Sequence, residues 1–89
     1  MRYNVFVKTR TNANEPHIHL RNAGIKPSKV ERVFRETLLD EYERLNRAMV
    51  GDDWAEMSGH GTIEALDVTG RVKLSDGTVL VSRIYAEEV

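Results

Sequence analysis

Residues Tyr3 to Lys8 alternate with a period of two, Tyr3, Val5 and Val7 on one side and Asn4, Phe6 and Lys8 on the other, which predicts a β-strand. Thr9 to Pro16, with Asn12, Asn14 and Pro16, breaks the alternation and reads as a hairpin loop. His17 to Arg21 resumes it, Ile18 and Leu20 facing one way and His17, His19 and Arg21 the other, and Asn22-Ala23-Gly24 is expected to end that second strand.

The period then changes. Val30, Val33, Phe34, Leu38, Tyr42, Leu45 and Met49 recur at three- and four-residue spacing and give one apolar stripe. Ser28 stands where an N-cap would, with Glu31 three residues on as the second half of a capping box, and Gly51 supplies a stop. The spacing therefore predicts a helix from Lys29 to Val50, roughly 33 Å long at 1.5 Å per residue. Acid-first pairs at i,i+4 line its polar side: Glu31 with Arg35, Asp40 with Arg44, Glu43 with Arg47.

Beyond the helix, Asp52 to Met57 reads as a polar connector and Ser58-Gly59-His60-Gly61 as a glycine-rich lead-in. Thr62 to Val68 is expected to form a strand, Thr69-Gly70 a turn or bulge, and Arg71 to Leu74 another strand. Ser75-Asp76-Gly77 is a short hairpin turn before a last strand, Thr78 to Tyr85, and Glu87-Glu88 should fray. The order is β-β-α-β-β with room for a further strand: a single α+β domain over residues 1–89, one long helix packed on a mostly antiparallel sheet. Four or five strands at about 4.8 Å spacing are wider than one helix of about 10 Å, so one sheet face should stay open. Phe6, Leu80 and Ile84 are expected on it, among Asn4, Lys8 and Ser82.

Length and composition agree with one domain. The 89 residues are 40% apolar and 30% charged and include no cysteine, which removes disulfides, thiol catalysis and cysteine-ligated zinc. No stretch has the length of a membrane span or an apolar leader, and position 2 is Arg2, so a cytoplasmic protein without a membrane partner is expected. The formal charge of −1 conceals a division: residues 1–48 carry ten Lys/Arg against six acids, and residues 49–89 carry three against eight.

Charge and aromatic residues supply the candidate sites. Asp52, Asp53 and Glu56 surround Trp54, the only tryptophan, an arrangement that suits an aromatic anchor ringed by charges that steer a protein partner. Lys8, Arg10, Arg21 and Lys26 mark the first hairpin as a basic surface for nucleic acid. His17 and His19, two apart on a strand, share a face, and His60 could join them as a third metal ligand. Ser58 beside His60 is the nearest approach to a nucleophile with its base. No nucleophile elbow, phosphate-binding loop or H-E-x-x-H helix occurs, so neither catalytic residues nor a cofactor is expected.

These features favour a small non-enzymatic binding protein of inhibitor or adaptor type. It would dock on a larger protein or a nucleic-acid-handling complex, in the manner of a phage- or mobile-element-type inhibitor, and could pair with itself as a homodimer. The alternatives are a nucleic-acid-binding module using the basic hairpin, and a histidine-based metal-binding protein or small hydrolase.

Overall fold

The computed structural model describes residues 1–49 and 56–89, and the side chains of all of these except 48, 49, 56 and 57. Val50 and Gly51, expected at the end of the helix, and the candidates Asp52, Asp53 and Trp54 lie outside the described residues. The elements are β1 (Tyr3–Thr11), β2 (His17–Ile25), α1 (Pro27–Met49), β3 (Glu56–Thr62), β4 (Asp67–Lys73) and β5 (Val79–Glu88). All five strands form one antiparallel sheet in the order β2-β1-β5-β4-β3, and α1 packs across one face of it, which is the expected α+β architecture. Among the described residues no helix is long and apolar enough to cross a membrane.

The first and last strands are neighbours at the sheet's centre. Val7 pairs with Ile84 and Val5 with Ala86, and β1 and β5 stay in register as far as Tyr3 with Glu88. The expected fraying of Glu87 and Glu88 is thereby corrected: Tyr3 and Asn4 hold them in the ladder. β2 likewise does not stop at Asn22 to Gly24. Asn4 accepts a hydrogen bond from the Gly24 amide on its Oδ1 (3.0 Å), and Gly24 takes a φ of 65° beside a shift in the β1–β2 register, so a bulge carries the strand on to Ile25.

Helix α1 begins two residues before its expected start. Pro27 takes the first position, where its missing N–H loses nothing, and the Lys26 carbonyl accepts the amides of Lys29 (2.9 Å) and Val30 (3.1 Å). Ser28 lies inside the first turn, and Glu31 pairs with Arg35 at 2.9 Å. Its stripe meets the sheet as two apolar clusters: Val30 and Phe34 on Val5, Val7 and Ile84, and Leu45 on Val72 and Leu74. Between them the helix buries Thr37 and Glu41, whereas Tyr42, placed in the stripe by spacing, is 51% exposed.

Two expectations about the later strands are overturned. Gly59-His60-Gly61 belongs to β3, and the turn lies at residues 63–66 within the stretch read as a strand. Leu66 adopts a φ of 54°, its amide donates to the Ile63 carbonyl (2.9 Å), and the Thr62 hydroxyl accepts the Ala65 amide (3.1 Å). These bonds close a turn that contains neither glycine nor proline. The second correction concerns β5. Its alternation is as read, but Ser82 and Ile84 face the helix and are buried, and Leu80 packs with Leu45 and Val72. Val79, Val81, Arg83 and Tyr85 take the open face with Phe6 instead, because Phe6 is the direct neighbour of Tyr85 and Val7 that of Ile84.

Candidate functional site on the open sheet face

Among the described residues no element covers the face opposite α1. Its rows follow from the pairing. One runs Leu20, Phe6, Tyr85, Asp67, Thr62 from β2 to β3, and the next runs Ile18, Lys8, Arg83, Thr69, His60. A third contains Arg10, Val81, Arg71 and Ser58, with Lys73 beyond it opposite Val79. Lys8, Arg10, Arg71, Lys73 and Arg83 therefore share one surface, drawn from three adjacent strands and from both halves of the chain. The acids among the described side chains of these strands on that face are Asp67 and Glu87.

A continuous stack anchors this surface. The rings of Phe6 and Tyr85 lie 5.3 Å apart and 18° from parallel, and the Arg83 guanidinium sits 4.3 Å from the centre of the Tyr85 ring. Asp67 holds the same guanidinium through two bonds, from Nε (2.9 Å) and from Nη2 (2.6 Å). The hydrogen bond from Arg83 draws the Asp67 carboxyl below its ordinary range, and the same bond raises the Arg83 guanidinium above its own. Arg83 is thus fixed, with its charge largely answered. Lys8, Arg71 and Lys73 have no polar side-chain partner among the described residues, and Arg10 spends one donor on the Asn14 carbonyl at 3.0 Å.

Lys8, Arg10 and Arg83, with Pro16, Thr69 and Val81, line a groove of about 210 Å³ on this face. On the other side of the sheet a second, apolar cavity of about 320 Å³ lies under the C-terminal half of α1, between Leu38, Tyr42 and Leu45 and the facing glycines Gly59 and Gly70.

The four basic residues of the first hairpin are not brought together. Lys8 and Arg10 join the open face, but Arg21 points to the helix side, where it meets Asp40 at 3.5 Å and Glu41 at 3.8 Å, and Lys26 caps the start of α1. The histidines do not converge either. His17 and His19 lie on β2 with the helix-side set, whereas His60 lies on β3, at the opposite edge of the sheet and on its open side. Among the described residues no group of three metal-ligating side chains forms. Glu56 opens β3 opposite Lys73.

Sequence reasoning missed Arg71, Lys73, Arg83 and Tyr85 as companions of Lys8 and Phe6. The signal was there in the alternation of β5, but it acquires meaning only once β5 is known to lie against β1. Comparison with protein-family models, with curated proteins and with solved structures finds no match to this chain.

Proposed function

We propose that this chain is a nucleic-acid-binding module whose open sheet face lies along the phosphate backbone of a single strand. One observation carries the reading: five cations from three strands meet on one face that no described element covers, next to the apolar side chains of Phe6, Leu20 and Ile18. Cations on a flat surface bind phosphates without regard to sequence. The apolar flank favours a single strand over a duplex, because only unpaired bases offer their faces to it.

Fluorescence anisotropy with a labelled single-stranded oligonucleotide tests this. Three or four phosphate contacts should give a slope of log K against log salt of about −2 to −3. A Lys8→Ala, Arg71→Ala, Lys73→Ala triple variant should flatten that slope while melting normally, since these side chains hold no polar side-chain partner among the described residues. Binding that ignores salt, or survives the triple change intact, would overturn the reading.

A second reading, docking on a protein, draws support from β2. This edge strand is exposed on both faces from His17 to Gly24, with Ile18 57% and Leu20 54% accessible, and an unpaired edge of that kind can accept a strand from another protein or a second copy.

A further inference from the structure

We infer that the groove between Lys8, Arg10 and Arg83 is a seat for the terminal phosphate of a nucleic-acid strand, so that the protein recognises strand ends. The inference rests on the nucleic-acid reading above and specifies what part of the strand is held. Two like charges stand opposite each other across the β1–β5 ladder. Lys8 and Arg83 are direct cross-strand partners, and Arg10 follows two residues along on the same face. Cations placed opposite one another in an antiparallel pair repel. Asp67 answers Arg83 alone, and nothing among the described residues answers Lys8. An anion between them would turn that repulsion into attraction.

Three cations against Asp67, the one carboxylate hydrogen-bonded to them among the described residues, leave the groove with close to two positive charges to satisfy, Glu87 acting on Arg83 only through space. A phosphodiester inside a strand brings one negative charge, whereas a phosphomonoester at its end carries about −1.5 to −2 at pH 7. The monoester is the better match. The groove measures about 210 Å³, Pro16 from the β1–β2 loop helps wall it, and Thr69, opposite Arg83 on β4, adds a hydroxyl to the charged donors. Arg83 is held in place by Asp67 and Tyr85, so its remaining N–H donors are fixed in position, and Lys8 supplies three movable donors.

The experiment compares one oligonucleotide sequence with a 5′-phosphate, with a 3′-phosphate and with hydroxyls at both ends, binding to the whole chain. A phosphate at one end should tighten binding about tenfold, the scale of a charge-assisted contact. Lys8→Ala should abolish that preference. Arg71→Ala, outside the groove, should weaken all three oligonucleotides alike and keep the preference. Equal binding of all three by the unaltered chain would overturn the end-recognition inference and leave the wider reading standing. A phosphoserine peptide that binds as tightly as the phosphorylated oligonucleotide would overturn the assignment to nucleic acid. If none of the oligonucleotides binds, both readings fall.

Discussion

Glu41 lies in the middle of the helix's buried stripe with its side chain 7% exposed, a position where an unanswered carboxylate would be heavily destabilising. It is answered. Its Oε2 accepts from Arg44 Nε at 3.0 Å and from the Ser82 hydroxyl at 3.1 Å, Ser82 in turn accepts from Arg44 Nη2 at 2.6 Å, and Arg21 approaches Oε1 at 3.8 Å. The periodicity of the helix picks out Tyr42 rather than Glu41, because a side chain counts as polar or apolar in sequence without regard to the partners that burial may bring. Arg44, expected to pair with Asp40, turns to Glu41 for the same reason: the burial of Glu41 demands a cation, and the exposed Asp40 takes Arg21. Replacing Glu41 with Ala leaves the buried Ser82 hydroxyl without its acceptor and Arg44 without its carboxylate, and opens a gap under the helix. We expect a loss of about 2–4 kcal/mol in urea unfolding. A loss under about 1 kcal/mol would show that Arg44 and Ser82 satisfy each other and water as well as they satisfy Glu41.

At the scale of elements, the regular pieces were legible and one turn was not. The alternation of Tyr3 to Lys8 and the helical spacing from Val30 to Leu45 identify their elements because one face of each is buried and must be apolar. The β3–β4 turn gives no such cue. Leu66 takes a left-handed φ that leucine rarely adopts, stabilised by the Ala65 and Leu66 amides donating to the Thr62 hydroxyl and the Ile63 carbonyl and by packing against the first core cluster, while the glycines that suggested a loop lie within β3. Gly59 faces Gly70, and Gly70 sits under Leu45. Gly61, at a φ of 98°, has its position for a Cβ occupied by the Asp67 carbonyl, whereas Gly77, at 90°, faces open space. The same Gly→Ala change should therefore differ between the two positions. Gly77→Ala bears only the backbone cost, about 1 kcal/mol, and Gly61→Ala adds a clash with the neighbouring strand, for a total of about 3 kcal/mol or a shifted hairpin. Denaturant midpoints of the two variants compare them, and equal losses would refute the clash.

At the scale of the whole molecule, the division of charge along the chain is not a division of its surface. Residues 1–48 carry a net +4 and residues 49–89 a net −5, yet β1 lies beside β5, and the basic face takes Lys8 and Arg10 from one half and Arg71, Lys73 and Arg83 from the other. Sequence alone could not give this, because the pairing of the first strand with the last joins residues about eighty positions apart and no local pattern records it. The same pairing makes each half incomplete. Without β5, the Val5 and Val7 face under Phe34 loses Ile84, and β1 loses one of its two neighbours. A fragment of residues 1–49 should therefore show no cooperative unfolding by circular dichroism, although its helix and hairpin are local. Mixed with residues 50–89 it should regain a cooperative transition, since the missing contacts lie between the fragments. Their opposite charges should also speed association at low salt and slow it as salt rises. A cooperative transition in the 1–49 fragment alone would mean that the hairpin and helix form their own core, with the β1–β5 pairing added to a fold already complete without it.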